Sequence, residues 1–395
     1  MNRKLSLSGL VRRLVLPMSL AAVAASGAAL AQSKEDIVIG GSIPMSGVFA
    51  FAGVGIHAGM GDYVKMLNDA GGIEGRKVRY VPEDTAYKVD VSVAAFKKIT
   101  SQNNVNLYYG DSTGFSKTIN PELERAGNIL MTGASFATEI NDPEKFPSQF
   151  LVGPDYTEMF GILLNYIAKE KPGAKVAFVF SDSEFGRDPI DESRALAKSL
   201  GLTVATEIMT PAGSVDVSTE VLKLRRANPD YTIFHGYILA PIPEFISQGK
   251  QMGLKSRYMG TFWTMDNSTV MRMGEDADGF MGVMPFRYYY DDAKDAPMLD
   301  KIRAMRPEYQ STAYTQGFLA AMLLTEAAKR TLAAGKELTG VNMKAALNSI
   351  ENFDTGGLIG VPITIKGNSL PVGRIYRADY SQKKMVPASD WIVLD

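Results

Sequence analysis

A serine flanked by glycines follows an apolar run near residue 110 and matches the motif of a hydrolytic nucleophile. The stretch Gly110-Asp-Ser112-Thr-Gly114 fits G-x-S-x-G, the strand-to-helix turn that presents the serine of α/β-hydrolases. That chemistry needs a histidine base that follows an acidic residue late in the chain. The single downstream histidine, His235, ends the apolar run Tyr231–Phe234, and no His-Gly-Gly-Gly segment is present. The sequence therefore favours a hydroxyl that holds a ligand over a serine hydrolase.

A second glycine motif, Gly53-Val-Gly55-Ile-His57-Ala, matches the dinucleotide fingerprint G-x-G-x-x-A. That fingerprint opens directly after the first strand, whereas about ten residues, including Pro44, separate this motif from the apolar run Ile37–Ile39. We therefore predict a closely packed loop and helix start here, and no cofactor. Neither His57 nor His235 has neighbours at the spacing of metal ligands, so we predict no metal site.

The first 31 residues have the pattern of a secretory signal peptide. Four basic residues precede the apolar stretch Leu14–Ala25, and Ala29-Leu-Ala31 fits the small-x-small cleavage pattern. The apolar stretch is too short for a transmembrane helix. We expect cleavage after Ala31 and export to the periplasm.

Composition limits the classes of partner. The leader carries four positive and no negative charges, so its removal changes the net charge from −1 to −5. A mildly acidic chain argues against nucleic acid as a partner. The sequence has no cysteine, which excludes disulfides, thiolate metal sites and a lipidated N-terminal cysteine.

Short apolar runs alternate with segments of helical periodicity along most of the chain. Such βα alternation predicts an α/β fold in which helices cover both faces of parallel sheets, and a chain of this length predicts two lobes. A β-hairpin is expected near the end, over 374–386. The predicted strands are 37–39, 78–81, 106–110, 129–132, 176–180, 203–209, 231–234 and 257–259, the last of which closes the second series; the main predicted helices are 56–67, 89–102, 156–170, 191–200, 312–334 and 341–350.

Loops at the predicted carboxyl ends of these strands are rich in hydroxyl and aromatic residues. Hydroxyls and free N–H groups at helix N-termini suit an anion, and rings suit an apolar or aromatic body. Ligands of open α/β sheets bind at this edge. The loops are 45–51, 111–115, 133–136, 181–186, 236–237 and 261–263.

Several turns resemble those of one family. The turn Asn68-Asp-Ala-Gly71-Gly72-Ile-Glu-Gly75 is similar to the N-x-x-G-G-I-x-G turn of the branched-chain amino-acid-type (Leu/Ile/Val-binding-like) periplasmic binding proteins. Weaker matches fall in the same order along the mature chain: Pro44–Gly47, Phe185-Gly186, Asn228–Asp230 and Gly253-Leu254.

The resemblance implies a type I binding-protein fold, in which two Rossmann-like lobes are joined by a three-stranded hinge and close on a ligand. We expect an N-terminal lobe of 32–154 plus 286–352 and a C-terminal lobe of 155–285 plus 353–395. It further implies a monomeric, non-enzymatic solute receptor that delivers its ligand to the permease subunits of an ABC importer.

The family's binding residues carry over to this sequence loop by loop. The loop that hydrogen-bonds the ligand carboxylate corresponds to Ser112, Thr113 and Gly114, and the ring of Phe115 follows. The next loop corresponds to Ala134, Ser135 and Phe136. In the second lobe, the family tyrosine corresponds to Tyr237, and Phe185 stands where amino-acid binders often have tyrosine.

One departure bears on the ligand. Amino-acid binders place a carboxylate for the ligand's ammonium where this chain has Thr261-Phe262-Trp263-Thr264. An unpaired buried ammonium is costly, while Phe262, Trp263 and the first-lobe rings, with Phe51 among them, offer stacking surfaces. We therefore expect a carboxylate with an aromatic or apolar body, such as a benzoate, phenylacetate or cinnamate derivative, or a 2-oxo acid.

Other ligands stay open at this point. Asp266 or Asp155 could replace the missing carboxylate, which would allow a branched-chain or other amino acid. Phe262 and Trp263 could instead form a cation–π cage for an ammonium. An amide or urea-type ligand, or a sensor receptor of the same fold, is a further alternative.

Overall fold

A βα repeat at the start of the described chain builds a four-stranded parallel sheet. The computed structural model describes residues 34–394, so the predicted signal peptide and its cleavage site lie outside it. The strands, in the spatial order second-first-third-fourth, are β1 (Ile37–Ile43), β2 (Val78–Asp84), β3 (Val105–Gly110) and β4 (Leu130–Gly133). The helices between them are α1 (Ala50–Asp69), α2 (Val89–Gln102) and α3 (Thr113–Ala126).

A second series builds an eight-stranded sheet. Its strands are β5 (Lys175–Ser181), β6 (Thr203–Thr210), β7 (Tyr231–His235), β8 (Arg257–Gly260), β9 (Met281–Met284), β10 (Val372–Asp379), β11 (Lys384–Pro387) and β12 (Ile392–Val393). The order is β11-β10-β9-β8-β7-β5-β6, with β12 beside β10. The pairs from β6 to β9 are parallel, and those that involve β10 are antiparallel.

The remaining helices cover the two sheets. They are α4 (Tyr156–Glu170), α5 (Glu184–Arg187), α6 (Ile190–Ser199), α7 (Ser218–Ala227), α8 (Ile242–Gln251), α9 (Asn267–Met271), α10 (Pro297–Met305), α11 (Thr312–Ala333) and α12 (Gly340–Asn348). Among residues 34–394, none of these is both long and apolar enough to cross a bilayer.

The chain passes between the two sheets three times. It leaves the first sheet after β4, returns to it with α11 and α12, which pack on α1 and β4, and rejoins the second sheet at β10. We call the four-stranded sheet with α1–α3, α11 and α12 the first lobe, and the eight-stranded sheet with α4–α9 the second lobe. The expected α/β fold with parallel-strand sheets is confirmed. The lobe boundaries at 154, 285 and 352 stay predictions.

Burial explains why the second sheet reads as continuous apolar runs. The β5 segment Val176–Phe180 is buried at every position, because helices cover both faces of a parallel sheet. The predicted helices 89–102 and 156–170 match α2 and α4, and the hairpin at the end of the chain is β10–β11. The prediction that 257–259 closes the second series was wrong, since β9 pairs parallel to β8 beyond it.

Close packing accounts for the second glycine motif. Gly53 lies inside α1, where a Cβ atom would stand 2.0 Å from the carbonyl oxygen of Pro44. Six residues later in the same helix, a Cβ on Gly59 would stand 2.1 Å from the Tyr314 carbonyl oxygen on α11. The glycines therefore allow α1 to approach the loop after β1 and α11. The predicted close packing is present, but the motif lies inside α1, which begins at Ala50, and not in a loop.

Candidate functional site

A small cavity lies where the carboxyl ends of strands from the two sheets face each other. This is the edge at which open α/β sheets bind ligands. The lining divides into a polar side, whose residues follow β3 and β4, and an apolar side, whose residues come from several loops and helices, including the loop after β4. The polar side consists of Asp111, Ser112, Thr113 and Ser135, and the apolar side of Pro44, Phe49, Ala52, Ile56, Tyr87, Ala134, Tyr156, Phe185, Ile238 and Trp263.

The start of α3 forms the polar side. Ser112 is the N-cap, and its Oγ accepts the N–H of Phe115 at 3.2 Å, as serine does at helix starts. The N–H groups of Thr113 and Gly114 belong to the first turn and have no intrahelical partner. These groups and the positive end of the helix dipole favour an anion on this side of the cavity.

Two hydroxyls from different loops meet beside that helix start. Thr113 Oγ1 and Ser135 Oγ lie 2.9 Å apart, and Ser135 Oγ also accepts the N–H of Ala137 at 3.1 Å. The pair has two hydroxyl protons and uses one in its mutual bond. One O–H proton is thus left for a ligand, next to the N–H groups of the α3 first turn.

A buried acid completes the polar side. Asp111 is 1% exposed, and its Oδ1 accepts the hydroxyl of Ser112 at 2.9 Å. Its Oδ2 accepts the hydroxyls of Ser92, at 2.7 Å, and of Thr85. Burial raises the pKa of the Asp111 carboxyl, and the three hydroxyls only partly oppose this.

Rings from both lobes form the apolar side. The ring centroids of Phe49 and Tyr87 lie 4.0 Å apart on the first lobe, and those of Tyr156 and Phe185 lie 5.0 Å apart on the second. The indole of Trp263 joins them and donates from Nε1 to the carbonyl oxygen of Ala134 at 3.2 Å. These rings can enclose a flat or branched apolar group.

Comparison with known proteins identifies this architecture. Residues 36–383 match the model of the periplasmic binding protein family. The chain belongs to that family. It is therefore a solute-binding protein, and residues of both lobes line its cavity.

Three relatives illustrate the similarity. The chain is 25% identical over 290 residues to the leucine-, isoleucine-, valine-, threonine- and alanine-binding protein of Pseudomonas aeruginosa, covering 72% of this chain and 76% of that one. A branched-chain amino acid ABC transporter structure from Thermus thermophilus with bound valine superposes with a TM-score of 0.82, at 24% identity and with 92% and 97% of the chains covered. The structure of a fatty acid ABC transporter substrate-binding protein from Thermomonospora curvata superposes with a TM-score of 0.79 at 17% identity. The match covers 91% of this chain and 93% of that one.

The binding-protein architecture also explains the nucleophile-like motif. Ser112 has an ordinary extended backbone, with φ −158° and ψ 160°, whereas a nucleophile elbow is strained. Both ring nitrogens of His235 are engaged: Nδ1 lies 2.8 Å from Thr261 Oγ1, and Nε2 lies 2.9 Å from the Phe185 carbonyl oxygen. Burial lowers the pKa of His235 to about 3. This histidine holds two loops together and is not available as a base for Ser112.

Six of the residues predicted for ligand binding line the cavity together. They come from four loops, as the rule that ligands bind at the carboxyl ends of strands requires. Whether they contact the ligand stays a prediction. The six are Ser112, Thr113, Ala134, Ser135, Phe185 and Trp263.

Three predicted rings lie in a layer behind the lining. Phe136, Phe262 and Tyr237 are fully buried. Phe262 packs on Trp263 and Phe136, with centroids 4.7 Å and 5.3 Å apart. Tyr237 bonds through its hydroxyl to Thr210 Oγ1 at 2.8 Å. Since only Trp263 of the adjacent ring pair reaches the cavity, a two-ring cation–π cage does not form there.

Three other predicted residues point elsewhere. Phe51 lies in the first turn of α1 and is 47% exposed, because the helix turns the neighbouring Phe49 and Ala52 inward instead. Phe115 packs into the separate core cluster of Phe96 and Tyr108. A Cβ on Gly114 would lie 2.9 Å from Cγ2 of Val89 on α2, and Gly114 is not among the lining residues. Phe51 and Phe115 therefore do not line this cavity, and their contacts with a ligand stay predictions.

The sequence reasoning missed two lining tyrosines. Tyr87 follows β2, and Tyr156 is the first residue of α4. Tyr87 could have been found by the same strand-end rule, because β2 ends at the same edge as β1. Tyr156 had no such signal, since it opens the helix that follows a connection between the lobes.

The two carboxylates suggested as replacements for the missing acid are used elsewhere. Asp266 accepts the N–H of Thr312 at 2.8 Å and caps α9. Asp155 caps α4 and accepts from Asn141 at 2.8 Å. Neither lines the cavity, whereas Asp111 does. Within residues 34–394, no group of three or more His, Cys, Asp or Glu residues is placed to hold a metal ion.

Proposed function

We propose that the protein is the extracytoplasmic receptor of an ABC importer and binds a small carboxylate with an aromatic or apolar body. One observation carries the proposal: the N-terminus of α3 and the Thr113–Ser135 hydroxyl pair line the same cavity as the rings of Phe185 and Trp263. An anionic head and a flat or branched tail satisfy both sides. The protein binds the ligand without changing it chemically. The closed, ligand-bound form then docks on membrane permease subunits and releases the ligand to them.

The aromatic character of the body is supported by the Trp263 side of the cavity. Trp263, Phe185 and Tyr156 present rings there, and the loop Thr261–Thr264 brings no carboxylate to pair with an ammonium. Benzoate, phenylacetate and cinnamate derivatives therefore fit better than amino acids on this side. The rings also suit a longer apolar chain, as the fatty acid binding neighbour would require.

A branched-chain or other amino acid is the second candidate, and one observation favours it. Asp111 lies at the polar end of the cavity and could pair with an ammonium there. The relatives from Pseudomonas aeruginosa and Thermus thermophilus are an amino-acid-binding protein and a transporter structure with bound valine.

A ligand panel tests the proposal. The mature protein is unfolded and refolded to remove carried-over ligand, and its melting temperature is measured with Leu, Val, Phe, 2-oxo acids, benzoate, 4-hydroxybenzoate, phenylacetate, 4-coumarate and decanoate. A ligand at 100 times its Kd adds about 2.7 kcal/mol of stability, which shifts the melting temperature by a few degrees. Stabilisation by aromatic acids but not by amino acids is the expected result.

Matched variants locate the site. Ser135→Ala removes a hydroxyl from the cavity, and Ser349→Ala removes one from the exposed C-terminus of α12. Only the first should reduce the stabilisation by ligand. If only Leu or Val stabilises the protein, the ligand is an amino acid and not an aromatic acid.

Export is tested separately. Mass spectrometry of the protein from the periplasm should find its N-terminus at Gln32.

A further inference from the structure

The single carboxylate in the lining is at the end of the cavity that suits an anion. Among the lining residues there is no lysine, arginine or histidine, and Asp111 is the one acidic side chain. It lies beside Ser112 and Thr113, where the proposed function places the ligand carboxylate. Two carboxylates in one buried site disfavour each other's ionised form strongly.

The hydroxyls around Asp111 have too few protons to serve the ionised acid and a ligand together. Ser112 has one hydroxyl proton, and Asp111 Oδ1 takes it at 2.9 Å. Ser112 then offers a ligand carboxylate only a lone pair. Ser92 Oγ likewise lies 2.9 Å from the Lys88 carbonyl oxygen and 2.7 Å from Asp111 Oδ2, with one proton for both acceptors.

A proton on Asp111 Oδ2 resolves both conflicts. Asp111 then donates to Ser92 Oγ, and Ser92 donates to the Lys88 carbonyl oxygen. The neutral acid attracts the Ser112 proton less strongly, so this hydroxyl can turn to the ligand. We propose that Asp111 takes up one proton from solvent when the ligand carboxylate binds, so that anion and proton are captured together. This inference rests on the proposed function.

Among residues 34–394, no cation is placed beside Asp111 as an alternative partner. The ionisable groups that interact with it from neighbouring elements are Tyr87, after β2, and Tyr108 and Tyr109 of β3. Burial raises the pKa of all three phenols, so they stay neutral over the whole working range. Thr85 and Ser92 supply neutral hydroxyls from the end of β2 and from α2. Burial already raises the pKa of Asp111 before a ligand binds.

Calorimetry can count the proton. Binding of the best aromatic acid from the panel is measured at several values between pH 5.5 and 8.5, each in two buffers of different ionisation enthalpy. We expect uptake of up to one proton per ligand and an affinity that falls by up to about tenfold per pH unit in the window above the pKa of free Asp111. Asp111→Asn keeps the shape without a titrating proton, so it should bind with no proton uptake and with a flat pH profile. Asp300→Asn, at an exposed acid on α10, should behave as wild type.

A second measurement uses only the wild-type protein, so it does not depend on whether the Asp111→Asn variant folds. Infrared difference spectra of wild-type protein with carbon-13-labelled aspartate should gain the band of a protonated carboxyl group when the acid binds. Tight binding of the acid with neither proton uptake nor this band overturns the coupling but leaves the proposed function. If amino acids bind instead, and Asp111→Asn abolishes that binding, Asp111 is an ammonium partner and both proposals fail.

Discussion

The indole Nε1 of Trp263 donates a 3.2 Å hydrogen bond to the carbonyl oxygen of Ala134, and both residues line the cavity. Trp263 follows β8 of the second lobe, and Ala134 follows β4 of the first. The bond therefore joins the two lobes, and we expect it to stabilise the form in which they are closed on a ligand. The same side chain forms part of the apolar wall, so it links closure to the shape of the ligand.

Removal of the indole donor should weaken ligand binding without unfolding the protein. Trp263→Phe keeps a ring but loses the bond to Ala134, which is worth about 0.5–1.5 kcal/mol, so we expect Kd to rise by roughly two- to tenfold. Trp263→Ala also removes the ring and should raise Kd further, by more than about 30-fold. Isothermal titration calorimetry measures both.

The second tryptophan provides the control. Trp391 lies near the C-terminus against Arg374 and away from the cavity. Trp391→Phe should leave Kd unchanged. If Trp263→Phe binds as tightly as wild type, the bond to Ala134 does not contribute to closure on the ligand.

A lysine-centred cluster forms another contact between the lobes. Lys117 of α3 lies 2.9 Å from Glu139, 3.5 Å from Glu184 and 3.9 Å from Asp188. Asp188 also accepts the N–H of Thr138 at 2.7 Å. Burial raises the pKa of Asp188 to about 6 despite the nearby lysine.

The raised pKa of Asp188 gives a testable pH dependence. Because the folded protein holds this proton more tightly than the unfolded chain, the stability from Asp188 is complete at low pH and is lost as pH rises through about 6. Asp188→Asn does not titrate. Relative to wild type, its free energy of unfolding should therefore rise between pH 4 and pH 8, by up to about 3 kcal/mol. Chemical denaturation at both pH values checks this.

An exposed partner of the same lysine is the control for that experiment. Glu184 also pairs with Lys117, but its side chain is 60% exposed. Glu184→Gln should change the free energy of unfolding little at either pH, because exposed ion pairs contribute little. A flat difference for Asp188→Asn as well would mean that Asp188 titrates normally in the folded protein.

His235 should stay neutral well into the acid range. Its pKa is lowered to about 3 by burial, so the unfolded chain binds a proton below about pH 6.5 that the folded protein rejects. Its contribution to stability is complete above that pH and is lost as pH falls toward 3. We expect nitrogen-15 NMR to show a neutral ring at pH 5, with the proton on Nε2 where it donates to the Phe185 carbonyl oxygen. A charged imidazolium at pH 5 would contradict the burial argument.

Much of the fold and six of the fourteen residues that line the cavity follow from local patterns. The periodicity of apolar residues predicts the strands and helices. The rule that ligands bind at the carboxyl ends of strands selects the loops that contain Ser112, Ser135 and Trp263. Which side chain of a loop faces the cavity depends on where the next helix begins. In α1 and the residue before it, Phe49 faces inward and Phe51 faces outward. A helix that began one residue earlier or later would change which side chains face inward, and sequence periodicity does not locate helix starts to one residue. Asp111 lies in one of the loops that the sequence selects. Its surroundings could not be predicted, because the hydroxyls that bond to it come from the end of β2 and from α2, which only the fold brings together.

Ser112 should act as a cap and a ligand contact, never as a nucleophile. Ser112→Ala and Ser311→Ala each remove an N-cap hydroxyl, from α3 and α11 respectively, and each should cost about 1 kcal/mol of stability. Only Ser112→Ala should also weaken ligand binding, by roughly two- to tenfold, because Ser311 does not line the cavity. A fluorophosphonate probe should leave the wild-type protein unlabelled in mass spectra. Stoichiometric labelling of Ser112 would contradict the binding role, since it requires an activated serine and His235 has no nitrogen to offer as its base.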